Sequence, residues 1–363
     1  MNPRIFVINP GSTSTKTALF CGDEPVWTDT LCHQAQDVSG FSHVMEQEEF
    51  RACLIEKILE QRSVDVSSLD AIIGRGGLLR PIPGGVYAIN QAMLDDLRSC
   101  RFGAHASNLG ALLAHRLAVP HKLPCYIADP VVVDELEPLA RYSGHPDIAR
   151  RSIFHALNHK AVARRVAAEL GRPYANLRLV VAHLGGGISV GAHDHGRVVD
   201  VNNALDGDGP FSPERSGGLP AGQLVSWCFE SGALEQEIRQ RITGHGGCLA
   251  YLGTTSGMEI KERIQDGDAQ ANEVHAAMAY QVAKEIGAMG AVLAGQIHGI
   301  ILTGGLIFDD VLVHRIRKRV EFLAPVFVCP GEDEMSALAQ AATRVLRNEE
   351  CARDYPSPGT ESY

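Results

Sequence analysis

One local pattern occurs twice in this chain, about half a chain apart, and it restricts the possible folds more than any other feature. The first copy, RIFVINPGSTSTKTALF at residues 4–20, runs from an apolar strand into a polar turn and out into a second apolar strand. The second, LRLVVAHLGGGISVGAHDHGRVVDV at residues 177–201, repeats strand, glycine-rich turn and strand, then adds another turn and strand. A helical stretch at residues 154–170 precedes it. Short apolar runs that end in glycine and hydroxyl residues read as strands closed by tight turns. Two copies imply a duplicated α/β domain, not a single sheet. Alanine-rich segments at residues 95–117, 271–294 and 334–348 have apolar residues at helical spacing and supply helices to pack on the sheets.

The turns carry the chemistry. Gly11 permits a sharp bend, and Ser12, Thr13, Ser14, Thr15 and Lys16 gather hydroxyl, amide and ammonium donors at one tip. Such a tip suits an anion, phosphate above all, although an ordinary hairpin with a polar turn has the same composition. It is not a P-loop, because that motif needs a glycine immediately before the lysine and Thr15 stands there. A third passage, GIILTGGLIFDDVLVHRIRKRV at residues 299–320, ends its strand at Thr303, Gly304 and Gly305 and predicts a helix from Asp309 or Asp310. Gly304 and Gly305 would let a flat ligand approach the backbone; glycine in such a connection is equally ordinary packing chemistry. Three glycine-rich strand ends in one duplicated chain describe a nucleotide clamp.

Composition narrows the partners. With 363 residues the chain has room for two domains, and 45% hydrophobic with 21% charged residues is a globular balance. A net charge of -10 argues against nucleic acid or an anionic membrane surface, which leaves small molecules or proteins. The 9 cysteines show no CxxC pair and no Cys-His ligand spacing, so reduced thiols in a cytoplasm are expected in preference to disulfides or zinc. No secretory leader pattern and no apolar run of membrane-spanning length is present, which again predicts a soluble cytoplasmic protein. The tail DYPSPGTESY is rich in Pro, Gly and Ser and is expected to be loose.

Five segments bring these features together: VINPGSTSTK, FHALNHKAVARR at residues 154–165, HLGGGISV at 183–190, ERSGGLP at 214–220 and PGEDEM at 330–335. In this order along nearly the whole chain, they resemble the acetate kinase family of the actin, sugar kinase and heat-shock chaperone superfamily, most closely its butyrate kinase branch. The resemblance implies an α/β fold of duplicated ribonuclease H-like βββαβαβα domains with an ATP cleft between them. On that plan residues 1–150 form the first domain, rejoined by a C-terminal helix at about 345–363, and residues 151–344 form the second. ATP or ADP and Mg²⁺ are the implied cofactors, a small carboxylate the implied substrate, and a homo-oligomer, dimer or higher, the implied assembly. Two lobes around a nucleotide also predict closure on ATP.

Carried across residue by residue, the resemblance puts Asn9, Ser12, Ser14 and Lys16 beside the phosphates and metal, so the polar turn becomes a first phosphate hairpin. His183 with Gly185, Gly186 and Gly187 matches the second; acetate kinases usually carry Asn where Gly186 stands, so backbone donors must serve there. Arg75, in AIIGRGGLLRPIPGG, resembles the arginine that holds the substrate carboxylate, a task suited to a guanidinium fork. Arg215 matches a second arginine, which neutralises the phosphoryl group in transfer. Asp129 in CYIADP matches the catalytic aspartate, with Asp134 and Glu135 as alternatives. His155 matches a histidine that donates to phosphoryl oxygens, whereas His159, one helical turn later, is expected to be structural. His105 aligns with a further active-site position. For the metal, Glu332 is the preferred carboxylate and Glu334 the alternative, near Asn9; acids before a helix are also what its dipole favours.

The reaction so implied is reversible phosphoryl transfer from ATP to a carboxylate. Where acetate kinases wall the methyl pocket with Val and Leu, this chain has Gly77 and Ala104, which would open space, with Phe154 as an apolar wall. Butyrate buries two more methylenes than acetate, worth about 1.6 kcal/mol or on the order of tenfold in binding. Butyrate or a similar short or branched fatty acid is therefore the expected acceptor. An acetate or propionate kinase with a wide pocket is the alternative within the class, and an actin-like ATPase that makes no metabolite is the alternative outside it.

Overall fold

Ile5, Phe6, Val7 and Ile8 have no exposed surface at all, which requires a strand covered on both faces. The computed structural model describes residues 2–357, apart from the side chains of residues 35 and 36, and places this strand, β1 (Arg4–Pro10), inside a sheet. The chain divides into two units, Met1–Val133 with Asp333–Tyr363, and Asp134–Glu332. These divisions differ from the expected 150 and 344. Residues 134–150 pair within the second unit, Glu137 N–H with the carbonyl of Val199 and Asp134 with Arg141. The helix Glu334–Leu346, through its buried Met335, Leu338, Ala339 and Ala342, packs on the sheet of the first.

In the first unit β1, β2 (Ser14–Cys21) and β3 (Glu24–Cys32) form an antiparallel meander. Strands β4 (Ala71–Arg75) and β6 (Cys125–Ala128) add parallel on the other side of β1, and β5 (Val86–Ala88) joins β6 antiparallel. In the second unit β7 (Arg178–Leu184), β8 (Ile188–Asp194) and β9 (Arg197–Val201) repeat the meander, with β10 (Gly299–Gly304) and β11 (Val326–Pro330) parallel beyond β7. The orders β3-β2-β1-β4-β6 and β9-β8-β7-β10-β11 match strand for strand. That is the duplication expected from the repeated pattern.

One expectation fails for a local reason, and a second is corrected only at its start. Residues 95–117 are not one helix but parts of two, Gln91–Arg98 and Asn108–Ala118, because Cys100 at φ 51° and Gly103 at φ 123° take backbone conformations through which a right-handed helix cannot continue. The tail begins anchored: Arg353–Asp354 pairs parallel with β5, and Tyr355 is 1% exposed, its hydroxyl donating to Asp96 Oδ2 at 2.8 Å. The last six residues of the chain lie outside those described.

Close packing fixes the end of β4. A Cβ on Gly74 would strike the carbonyl of Gly110, and one on Gly110 would strike that of Arg75, so helix Asn108–Ala118 lies directly on the strand that ends in Arg75. All nine cysteines are free thiols. Among the described residues no helix is long and apolar enough to cross a membrane.

Candidate functional site

The tip of the first hairpin is shaped from behind. Pairing of Pro10 with Thr15 leaves Gly11 to Ser14 as the turn, closed by a bond from Gly11 N–H to the Ser14 carbonyl at 2.8 Å. Arg51, fully buried on helix Glu48–Gln61, donates to the carbonyls of Gly11 at 2.9 Å, Ser14 at 3.1 Å and Ser12 at 3.4 Å, and to Thr15 Oγ1 at 3.0 Å. A trans peptide points its N–H opposite its C=O. Drawing the carbonyls of Gly11 and Ser12 inward therefore turns the N–H groups of Ser12 and Thr13 away from Arg51, on a tip where Ser12, Thr13 and Lys16 are exposed. Such a nest of outward amides suits an anion. Burial pushes the Arg51 pKa down to about 10, so the brace stays charged at neutral pH.

Behind this tip three site candidates meet. Arg75 holds Glu334 in a two-point fork, Nη2 to Oε1 at 2.8 Å and Nη1 to Oε2 at 3.1 Å, and Nη1 also donates to Asn9 Oδ1 at 3.3 Å. Asn9 Nδ2 donates to Glu334 Oε2 at 2.8 Å. Asp129 follows β6 with φ at 37°, a conformation costly for a residue with a Cβ, and is held by Gly85, whose N–H donates to its Oδ1 at 2.7 Å and whose carbonyl accepts its N–H. His105 Nδ1 accepts from Ser107 N–H, and desolvation of the ring followed by the charge of Arg75 lowers its pKa.

In the second unit, the turn Gly185–Gly186–Gly187 joins β7 to β8, and Arg215 lies on it. A Cβ on Gly187 would strike Arg215 Nη1. Ser212 ties the two segments, its hydroxyl donating to the Gly186 carbonyl while accepting the Arg215 N–H at 3.1 Å. Arg215 Nη1 donates to the Ala204 carbonyl at 2.6 Å, whereas its buried Nε has no hydrogen-bond partner. Burial lowers the pKa of this guanidinium against the opposing pull of Glu214. Beside the turn, the rings of His155 and His183 stack at 3.7 Å and 11°. His183 Nδ1 donates to Asn158 Oδ1 at 2.9 Å, and its Nε2 stands 3.1 Å from Glu332 Oε1. Gly304, at φ 97°, ends β10 where a Cβ would strike the Leu184 carbonyl, while Gly305 faces open space.

A sequence profile described as the acetokinase family matches residues 139–324, just over half of the chain. The chain belongs to the acetokinase family. It is therefore placed among phosphotransferases with a carboxyl group as acceptor. Solved structures share the fold at low identity. The acetate kinase of Porphyromonas gingivalis is 19% identical at a TM-score of 0.77, covering 95% of this chain and 100% of that one. A propionate kinase from Francisella tularensis subsp. tularensis SCHU S4 is 18% identical at 0.71, covering 93% and 98%. The acetate kinase of Entamoeba histolytica is 16% identical at 0.72, covering 92% and 97%.

Within this acetokinase-family chain several sequence expectations change. Gly77 does not open a pocket: a Cβ there would lie 2.5 Å from Asn108 Oδ1 and 2.6 Å from Asn108 Cα, so the glycine serves close packing. Phe154 is 1% exposed and meets the edge of the His159 ring at 5.1 Å, which makes it a core residue and not an open wall. Ala104, by contrast, is exposed. The alternatives to Asp129 are engaged elsewhere, Asp134 in a fork with Arg141 and Glu135 in a buried pair with Lys160 at 2.9 Å. The two glutamates at the start of the last long helix also separate. Glu334 joins Asn9 and Arg75, whereas Glu332, the one preferred from sequence, stands beside His183. Arg51 was not legible as a site residue, although the signal exists: it falls on the apolar stripe of its helix with Ile55 and Leu59, four and eight residues on.

Proposed function

We propose that this protein catalyses reversible transfer of the ATP γ-phosphoryl group to a short-chain carboxylate, giving an acyl phosphate and ADP. The preferred acceptor on this reading is butyrate or a linear or branched fatty acid of similar size, and the setting a cytoplasmic homo-oligomer. The observation that carries it is Arg215: a half-buried cation whose buried Nε has no hydrogen-bond partner, laid on a three-glycine turn that brings no side chain between it and an incoming anion. A phosphoryl group in transfer has the charge and the acceptor oxygens to complete it.

A carboxylate is already an anionic nucleophile at neutral pH, so the protein need not deprotonate it. Its task is to bring two anions together. Arg75 already shows the required fork, with Glu334 as its occupant. In the first unit the outward amides of the Ser12 turn and Lys16 are suited to phosphate oxygens and Asp129, held rigid by Gly85, to orienting the charge that accompanies them; in the second unit His155 is suited to donating to a phosphoryl oxygen. Asn9 and Glu334 offer hard oxygen donors of the kind that suit Mg²⁺, which takes its remaining ligands from phosphate and water. When bound, the ion neutralises phosphate charge.

Two measurements test the reading. Hydroxylamine trapping of acyl phosphate with ATP and a panel of acids should give product, with kcat/KM for butyrate above that for acetate. Equal values would reduce the claim to an acetate or propionate kinase; ATP hydrolysis with no trapped product on any acid would favour an actin-like ATPase. Glu334→Gln should raise the Mg²⁺ concentration for half-maximal rate by about tenfold or more. An unchanged magnesium curve would pass that role to Glu332.

A further inference from the structure

Beneath the stacked pair of His155 and His183, a chain of hydrogen bonds runs from His155 through the interior of the second unit. His155 Nδ1 lies 2.9 Å from Ser189 Oγ, and Ser189 Oγ lies 2.9 Å from His159 Nε2. His159 Nδ1 lies 3.3 Å from His193 Nε2, and His193 Nδ1 lies 2.6 Å from the hydroxyl of Tyr174. Helix Ala156–Glu169 sets His159 one turn beyond His155, and β8 sets Ser189 and His193 on one face with Gly191 between them, where the absent side chain leaves room for the His159 ring. Ser189, His159 and His193 are fully buried, while the two ends, His155 and Tyr174, are half-buried.

Proton counting leaves this chain few states. A neutral imidazole donates from one nitrogen and accepts at the other, and a serine hydroxyl donates only once. If Tyr174 donates to His193 Nδ1, then His193 Nε2 must donate to His159, His159 Nε2 to Ser189, and Ser189 to His155 Nδ1. The proton of His155 is then on Nε2. If Tyr174 accepts, every link reverses and that proton moves to Nδ1. A phenol is more acidic than a neutral imidazole N–H and is the stronger donor, so the first direction is favoured. Burial, reinforced by the charges of Lys160 and Arg164 at His193 and of the neighbouring histidines at His159, holds both inner rings far below the ordinary histidine pKa. They stay neutral, as the count requires.

We propose that Tyr174, His193, His159 and Ser189 are positioning residues that hold His155 as the neutral tautomer with its proton on Nε2. This rests on the kinase reading for its purpose: a neutral N–H donor of fixed direction can meet a phosphoryl oxygen without a proton having to be gained or lost in the cycle. The tautomer itself does not depend on that reading.

The test is the long-range ¹H–¹⁵N spectrum of protein labelled at histidine nitrogen, with the His155 signals assigned by their loss in His155→Gln. The wild-type protein is expected to show His155 protonated at Nε2 only. Tyr174→Phe, which removes one half-buried hydroxyl and keeps the ring, should give a mixture of both tautomers. In the kinase assay it should lower kcat about threefold to tenfold with KM for ATP unchanged. Ser189→Ala should do more, and Ser189→Thr, which restores the hydroxyl, should recover the single tautomer. A wild-type His155 protonated at Nδ1, or a tautomer unaffected by both Tyr174→Phe and Ser189→Ala, would overturn the proposal. Because the spectrum is read without turnover, an absence of kinase activity would leave this result standing and sink the functional reading alone.

Discussion

Arg215→Ala is expected to lower kcat by roughly 10³-fold while leaving the folded state intact. A cation that meets the phosphoryl group only as charge spreads over its oxygens contributes to the transition state, and loss of such a group has effects of this order. The side chain contributes little to the fold. Among the described residues its guanidinium donates one hydrogen bond, from Nη1 to Ala204, and makes a loose 3.9 Å approach to Glu214, and its Nε is unpaired. Arg215→Lys should recover little, because an ammonium cannot reproduce the planar fork. Gly187→Ala should imitate the loss, since its methyl would occupy the place of Nη1. Combined with Arg215→Ala it should add almost nothing, the mark of two changes acting on one group. Steady-state rates of acyl phosphate formation and a thermal melt check this; a wild-type rate in Arg215→Ala would remove the arginine from the chemistry.

Arg51→Met is the second large effect. The methionine fills similar volume but leaves the carbonyl of Gly11 and the amide oxygen of Gln47 without the Arg51 donor, and the carbonyl of Ser14 with only the Gly11 N–H. Each buried acceptor left unpaired costs about 1–3 kcal/mol, so a loss of about 3 kcal/mol or more in denaturant titration is expected. The turn would also lose the force that aims its amides outward. A displacement of about 1 Å at a phosphate-binding turn is enough to reduce kcat/KM for ATP by about 10²-fold. The contrast is Arg62→Ala just past the end of the same helix, which removes a half-exposed pair with Asp29 and a contact over the Trp27 ring and should change stability far less. If Arg51→Met kept both stability and kcat/KM for ATP, the inward pull on the turn would not be what shapes it.

Much of the architecture was legible in advance because it is written in local patterns. The run Ile5 to Ile8, the turn at Gly11 and the return through Thr17 to Phe20 specify a hairpin without outside help, and the same holds for the glycine turn between β7 and β8. Asp309 caps the helix predicted there by accepting the N–H groups of Val311 and Leu312. Misreadings came where backbone conformation, invisible in periodicity, decided the matter, as at Cys100 and Gly103. They also came where a glycine could be taken for empty space, as at Gly77, although a neighbour's backbone fills it.

By itself, then, the sequence determined most of the strands, turns and helices, that the plan is duplicated, and which residue types crowd the turns, since each of these depends on neighbours a few positions away. Only the tertiary structure decided which distant groups meet. Arg51 reaches a turn 40 residues upstream, Glu334 reaches Asn9 across 325 residues while Glu332 goes to His183, and His155 is tied through Ser189 to rings on another element. Hydrogen bonds and ion pairs act only over about 3 Å, so their partners are chosen by how helices and strands register against each other. No spacing along the chain records that register.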